Sequence, residues 1–101
     1  PFDKTMKVGA SVVAARRGGL SATFDELNKY FTICGMPVAS SQYWNSIHGQ
    51  VPGEAEQDGE GLQTMRTLAR NMTFLMKSIA LGKEQYGLPE QEPFNQTNFI
   101  R

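Results

Sequence analysis

The sequence predicts an α/β fold built on a parallel β-sheet. Residues 7–15 are almost continuously apolar or small, without the alternation of a half-exposed strand, and such a run is typical of a parallel strand buried on both faces. A segment with helical periodicity follows at positions 21–34, and a second short apolar segment covers positions 36–40. A strand, a helix and a strand in this order predict a βαβ unit, whose two strands run parallel.

The first predicted strand, Lys7–Ala15, ends at a turn. The next four residues are Arg16, Arg17, Gly18 and Gly19, and paired glycines favour a turn because glycine tolerates backbone angles that other residues avoid. We therefore expect a loop here, leading from the strand into the first helix.

The first predicted helix covers positions 21–34. Ser21 is a candidate N-cap, and Gly35 is expected to close the helix. The apolar face follows the three- and four-residue spacing of an amphipathic helix and comprises Phe24, Leu27, Phe31 and Cys34, widened by Tyr30 and Ile33. We expect the cysteine on this face to be buried rather than reactive.

A short strand and a long loop are predicted next. Met36–Ser40 forms the second strand, with its proline near the start, where a missing N–H does least harm. Ser41–Gly59 is predicted to be a loop, and loops of this length in a compact domain are usually functional.

A second helix is the best supported element of the sequence. Asp58 and Glu60 provide an acidic start, and apolar residues at helical spacing cover Leu62–Leu81 before Gly82 ends the helix. The predicted core therefore covers residues 7–82. The remainder, 83–101, is predicted to be an extended surface segment or an arm that clasps a partner.

Composition excludes several classes of protein. The 101 residues carry ten basic and ten acidic side chains, so no overall positive field favours nucleic acid or a membrane surface. No apolar run reaches the roughly 20 residues that cross a bilayer. The single cysteine cannot form an intramolecular disulfide, which indicates a reducing compartment, and we expect a cytoplasmic location. The length allows one domain at most.

Two loops are candidates for a ligand site, because the carboxyl ends of parallel strands meet at one edge of the sheet. Arg16 and Arg17 suit an anionic or electron-rich flat ligand, although the same residues also fit a solvated turn. Tyr43 and Trp44 can stack on a planar cofactor, or the tryptophan can plug the core rim or a subunit contact. His48, the single histidine, excludes a site with two histidine ligands and is typical of a hydrogen-bonding loop residue.

These motifs, taken together, resemble a known family. In chain order they are Arg-Arg-Gly-Gly, Gly-Met-Pro-Val, Tyr-Trp-Asn-x-x-His-Gly, Pro-Gly-Glu, Asp-x-Glu-Gly-Leu-Gln-Thr and Arg-x-Leu-x-Arg-Asn-Met. The segment Lys7–Gly82 resembles the C-terminal half of NADPH-dependent FMN reductase-like and iron–sulfur flavoprotein-like proteins. The resemblance implies a flavodoxin-like, doubly wound parallel sheet, of which residues 1–101 form the C-terminal β-α-β-α portion.

The resemblance also implies a cofactor and a reaction. Lys7–Ala15 and Met36–Ser40 correspond to the fourth and fifth strands, and the loops after them approach an FMN ring. The reaction implied is hydride transfer from NAD(P)H to the flavin, with the protein supplying position and electrostatics. The residues implied in cofactor binding are Ala15, Arg16, Arg17, Gly18, Gly19, Tyr43, Trp44 and His48, with no catalytic residue assigned and no metal ligand.

Partners are expected because two strands and two helices cannot cover both faces of a sheet. We expect the missing N-terminal half or another chain to complete the sheet, and a homo-oligomer, with neither nucleic acid nor membrane as partner. Two alternatives remain open. One is a non-catalytic flavodoxin-like module without flavin, which oligomerises through the Trp44 loop and Phe94–Arg101. The other is an anion-binding regulatory module centred on Arg16 and Arg17.

Overall fold

The computed structural model describes residues 3–97 and confirms an α/β architecture with a parallel sheet. It has two strands, two helices and one short 3₁₀ turn. In chain order these are β1 (Val13–Ala15), α1 (Leu20–Ile33), β2 (Ser46–His48), the 3₁₀ turn (Ala55–Gln57) and α2 (Gly59–Tyr86).

The two strands run parallel, but their pairing is interrupted. β1 pairs with β2 from Val13 opposite Ser46 to the strand ends, and an isolated parallel bridge joins Gly9 to Val38 further upstream. Gly9 and Val13 are four positions apart, whereas their partners are eight apart. Residues 39–45 therefore leave β1 between the bridge at Val38 and the start of β2 at Ser46. We call these residues the strand interruption.

The predicted strand Met36–Ser40 is wrong as a regular strand. Pairing stops after the bridge, where the Ala39 N–H donates to the Gly9 carbonyl over 2.9 Å. The next carbonyl, that of Ser40, accepts from the Asn71 side chain of α2 over 2.7 Å, and the chain leaves β1. The regular strand lies at Ser46–His48, inside the segment predicted as loop.

The first predicted strand and the predicted loop also need correction. Of Lys7–Ala15, only the last three residues form a regular strand, with the bridge at Gly9 upstream. The segment Ser41–Gly59 contains β2 and the 3₁₀ turn, so it is not one continuous loop. Its short strand has little apolar alternation of its own, which is why periodicity does not reveal it.

The Asn45 side chain replaces the missing strand pairing at the interruption. It is 1% exposed. Its Nδ2 donates to the Ser11 carbonyl over 3.1 Å, and its Oδ1 accepts from the Ser41 hydroxyl over 2.6 Å. The Asn45 backbone carbonyl accepts from the Val13 N–H over 3.0 Å, where regular pairing resumes. One residue thus joins both sides of the gap.

Helix α1 begins one residue earlier than predicted, and its N-cap is Gly19 rather than Ser21. Gly19 has φ 85°, in the left-handed region that glycine tolerates, and no side chain caps this end. Leu20, the first helical residue, is buried, so packing decides the start of the helix. Tyr30 and Ile33, predicted to widen the apolar face, are exposed instead, whereas Phe24, Phe31 and Cys34 are half-buried.

Helix α2 has the predicted acidic start but a later end. Asp58 is its N-cap, and the Asp58 Oδ1 accepts from the Gly61 N–H over 2.9 Å. The helix runs through Gly82, because one glycine in a helix costs only about 1 kcal/mol, and it ends at Gly87, where φ is 73°. Residues 87–97 have no regular secondary structure, and residues 98–101 of the predicted arm lie outside the described residues.

The helices cover opposite faces of the strands. The Ser11 hydroxyl donates to Asn28 of α1 over 2.7 Å, so odd-numbered residues near β1 face α1. Val8 lines a groove together with Met76 and Ile79 of α2, so even-numbered residues face α2. This arrangement is compatible with part of a doubly wound, flavodoxin-like sheet. Neither helix of residues 3–97 has the combined length and apolar character needed to cross a bilayer.

The apolar interior is small. Among the described residues, the apolar side chains that are buried are Leu20, Ala39 and Leu68. Larger apolar residues remain on the surface, with Phe74 of α2 71% exposed and Ile33 of α1 85% exposed. A structure with so little apolar burial depends strongly on each of its polar contacts.

The Asn45 contacts provide a test of this dependence. We expect Asn45→Ala to lower the free energy of unfolding by about 1–3 kcal/mol, because the buried Ser11 carbonyl loses its donor. Urea denaturation followed by circular dichroism measures the loss. Asn95→Ala, at an exposed position after α2, is the control. Equal stability of the two variants would contradict the assigned role of Asn45.

Candidate functional site

The two strands end side by side and bring distant parts of the chain together. Ala15, the last residue of β1, pairs with His48, the last residue of β2. The Gly49 N–H donates to the Ala15 carbonyl over 3.2 Å and extends this pairing by one bond. Arg16 and Arg17, which follow β1 directly, therefore lie beside the end of β2.

A cleft of about 420 Å³ opens at these strand ends. We call it the strand-end cleft. It is polar and open to solvent, and it lies at the carboxyl edge of the sheet, where α/β proteins bind ligands. Its lining residues are Arg16, Arg17, His48, Gly49, Gln50, Glu54, Gln57 and Asp58.

The two arginines of the strand-end cleft are available to a ligand. Both are exposed, and within residues 3–97 neither guanidinium forms an ion pair with a carboxylate. A guanidinium presents planar N–H donors that match carboxylate, phosphate or carbonyl oxygens.

The two carboxylates of the cleft are engaged by the backbone instead. The Glu54 Oε1 accepts from the N–H groups of Val51 and Gln50, each over 2.8 Å. These bonds lower the pKa of Glu54 from its ordinary value, because they favour the charged form. The acidic side chains therefore shape the loop, and neither one pairs with the arginines.

Asp58 connects β2, α2 and the imidazole of His48. Its carboxylate accepts from the Gly61 N–H at the start of α2 and from the His48 N–H at the end of β2, the latter over 2.8 Å. The Asp58 Oδ2 also lies 3.5 Å from His48 Nδ1. The bonds from Gly61 and then from His48 lower the pKa of Asp58.

Gly61 allows this close approach. A Cβ atom at position 61 would lie 2.5 Å from Asp58 Oδ2 and 2.8 Å from the Ile47 side chain. Any larger residue would push the first turn of α2 away from β2.

Tyr43 and Trp44 do not line the strand-end cleft. They follow the predicted strand Met36–Ser40, as expected, but lie in the strand interruption and so precede the regular strand β2. Their rings stack on one another with centroids 5.5 Å apart, and Trp44 also lies 6.1 Å from the ring of Phe24 on α1. Both are more than half exposed, so the tryptophan does not plug the core. Tyr43 borders a separate small cavity of about 60 Å³ with His48 and Asp58.

The predicted site residues therefore separate into groups. Arg16, Arg17 and His48 meet in the strand-end cleft, and Ala15 supports it through its carbonyl. Gly18 and Gly19 form the turn into α1 and do not line the cleft. The roles in cofactor binding stay predictions.

Sequence reasoning missed four polar residues of the cleft, which are Gln50, Glu54, Gln57 and Asp58. Glu54 and Asp58 stand within the family motifs, but their position before a helix points to the helix dipole as their role. Only the folded loop shows that both carboxylates also hold backbone N–H groups beside the arginines.

Asp58 predicts a pH dependence of stability. Because its pKa in the folded chain is below the ordinary value of 3.8, its contribution is complete above that pH and is lost as the pH falls through the lowered pKa. We expect Asp58→Asn to be less stable than the wild type at pH 6, with the difference shrinking towards pH 3. Urea denaturation across this range measures it.

Asp25→Asn is the control for this measurement. Asp25 is exposed on α1 and makes no side-chain hydrogen bond among the described residues. We expect its difference from the wild type to stay near zero over the same pH range. A constant difference for Asp58→Asn would contradict the assigned ionic role of this carboxylate.

Comparisons with known proteins connect the cleft to a family. No family model and no solved structure matches the chain. A curated iron–sulfur flavoprotein of Methanocaldococcus jannaschii is 31% identical over 85 residues, which cover 77% of this chain and 44% of the relative. The chain thus spans less than half the length of this relative. The homology confirms the resemblance that the motifs predict and supports the iron–sulfur flavoprotein-like family for this chain.

Proposed function

We propose that this chain is part of an FMN-binding, NAD(P)H-dependent oxidoreductase of the flavin reductase type, and that the strand-end cleft holds the polar edge of the flavin. The observation that carries the proposal is the pair of guanidinium groups of Arg16 and Arg17, which form no ion pair within residues 3–97 and lie beside His48 at the carboxyl ends of two parallel strands. The homology to a flavoprotein supports a flavin as the ligand.

The donors of the cleft fit one part of a flavin better than another. Guanidinium and glutamine N–H groups suit the carbonyl oxygens and ring nitrogens along one edge of the isoalloxazine. No phenylalanine, tyrosine or tryptophan ring lines the cleft within residues 3–97, so the described part of the chain offers no large aromatic side chain to stack on the ring face there. The fit therefore favours contact with the polar edge of the ring.

The chain's own residues supply charge and orientation at this edge. A bound flavin supplies the capacity to accept a hydride from a nicotinamide and to pass the electrons on. Arg16 and Arg17 attract negative charge that gathers on the ring edge, and the Glu54 and Asp58 contacts hold the loop around them in place. Fixed charges near the ring are the means by which a protein tunes this kind of cofactor.

An iron–sulfur cluster does not fit these residues. Such clusters are held by four ligands, most often cysteine thiolates. The 101 residues contain one cysteine, Cys34, which is half-buried on α1 and away from the strand-end cleft. No step of the proposed function passes through a cluster on this segment.

Flavin titration tests the proposal. We expect the chain to quench FMN fluorescence saturably at one flavin per chain, and the double variant Arg16→Ala with Arg17→Ala to weaken binding by roughly tenfold or more, as the loss of charged hydrogen bonds implies. Arg66→Ala with Arg70→Ala, two exposed arginines of α2, is the matched control. The absence of saturable quenching by the wild type would overturn the proposal.

We also propose that the free edge of β1 docks a further strand. On β2, the outward N–H groups are already used: Ser46 donates to the Trp44 carbonyl and His48 to Asp58, each over 2.8 Å. On β1, the outward backbone groups at Ala14 have no strand beside them within residues 3–97. Val12, on the face towards α2, is 49% exposed. The outer edge of β2 is therefore closed to a further strand, whereas the outer edge of β1 is suited to pair with one.

Matched lysine variants test the docking edge. We expect the chain to self-associate at high concentration through β1, and Val12→Lys to shift it towards monomer, because a charged side chain on an edge opposes strand addition. Val51→Lys is the control, since Val51 is 55% exposed in the loop after β2 and does not belong to the β1 edge. Sedimentation velocity measures the shift. Equal association of both variants, or a monomeric wild type at every concentration, would overturn self-association at this edge.

The exposed aromatic rings support a second candidate, a flavodoxin-like binding module without flavin. Stacked Tyr43 and Trp44 on the outside of the strand interruption form a ready contact surface for a partner. Protein that is colourless, inert to FMN and assembled into a defined oligomer would favour this function. Trp44→Ala would then disrupt the oligomer.

A further inference from the structure

We infer that His48 is the proton-exchanging group of the strand-end cleft and that Asp58 is its positioning residue. The inference deepens the proposed function and rests on it for the source of electrons. It starts from geometry: His48 lines the cleft with a half-exposed side chain, and the Asp58 Oδ2 lies 3.5 Å from His48 Nδ1.

The Asp58 carboxylate cannot easily turn away from the imidazole. Its Oδ1 accepts from the Gly61 N–H over 2.9 Å, and its Oδ2 accepts from the His48 N–H over 2.8 Å. Both donors are backbone groups of regular elements, the first turn of α2 and the end of β2. The carboxylate is therefore held at a defined position beside Nδ1.

A carboxylate beside Nδ1 decides where the imidazole carries its proton. Its negative charge attracts the N–H, so the neutral ring keeps the proton on Nδ1 and leaves the lone pair on Nε2. Nε2 is then the atom of His48 that accepts a proton from solvent or donates one to a ligand. Imidazole is suited to this role because it exchanges protons within the neutral pH range.

Titratable side chains from several elements line the two cavities that His48 borders. Arg16 and Arg17 come from the turn after β1, and Glu54 comes from the loop after β2. On the other side, Tyr43 and Glu60 border the small cavity that also contains His48 and Asp58. The arginines are placed to bring an electron-rich ligand next to the ring.

The chemistry fits a two-electron acceptor with a carbonyl oxygen, such as a quinone. Such an acceptor takes two electrons and one proton as a hydride equivalent, which the nicotinamide of the proposed function supplies, and needs one more proton at its oxygen. The Nε2–H bond of His48 breaks, and an O–H bond forms on the acceptor. The ring becomes neutral and regains a proton from water.

The tautomer of His48 tests this inference without any turnover. Because the chain has one histidine, long-range ¹H–¹⁵N correlation spectra of uniformly labelled protein report this ring alone. We expect the neutral ring of the wild type to carry its proton on Nδ1, and that of Asp58→Asn on Nε2, as in the chain unfolded in urea. Glu54→Gln, which changes the other carboxylate of the cleft, should keep the wild-type tautomer.

The outcomes separate this inference from the proposed function. A wild-type ring with its proton on Nε2, or an Asp58→Asn ring identical to the wild type, overturns the inference even if FMN binds. An Nδ1–H ring in a chain that does not bind FMN overturns the proposed function alone. If FMN binds, His48→Gln, measured at an FMN concentration that saturates the variant, should lose at least tenfold in NADPH-driven quinone reduction near neutral pH. Unchanged reduction would overturn the role of His48.

Discussion

The buried amide of Asn45 is the contact on which the rest of the structure depends. The second strand leaves β1 after one bridge, and the Asn45 side chain holds the Ser11 backbone until pairing resumes at Val13. This contact sets the register that places His48 opposite Ala15. Without that register, residues 16 and 48 would not reach the same cleft. Few apolar side chains are buried, so apolar packing alone does little to select one strand register. The buried Asn45 side chain, hydrogen-bonded through both its nitrogen and its oxygen, contributes to that selection instead.

Asp58 is the second residue that holds the carboxyl edge of the sheet in place, through hydrogen bonds to β2 and α2. Its carboxylate accepts a hydrogen bond from the last N–H of β2 and another from the first turn of α2, and it lies beside the His48 imidazole. Since its bonds go to backbone groups, the position of this carboxylate beside the His48 ring follows from the fold. Arg16 and Arg17 contrast with this arrangement, because no ion pair holds them within residues 3–97. The cleft therefore combines a carboxylate held by the backbone with arginines that form no ion pair within the described residues.

The two edges of the sheet differ for a physical reason. β2 uses its outward N–H groups within the chain, whereas in the described part of the chain β1 has no strand on its other side and Val12 next to it is half exposed. Covering that side would bury Val12 and satisfy backbone groups, two gains that this small core needs.

The sequence by itself determined the α/β class, the parallel connection through α1, the acidic start of α2 and the resemblance to iron–sulfur flavoproteins. Each follows from hydrophobic periodicity or from the local preference of single residues, and both signals are contained in short stretches of sequence. Only the tertiary structure decided that the strand lies at Ser46–His48 and not at Met36–Ser40, because a remote donor, Asn71, draws the Ser40 carbonyl away. It likewise separated Tyr43 and Trp44 from the cleft and added Glu54 and Asp58 to it. These features depend on hydrogen bonds between residues that are distant in the chain, or between residues that a loop brings together when it folds. A local sequence pattern does not show which residues form such bonds.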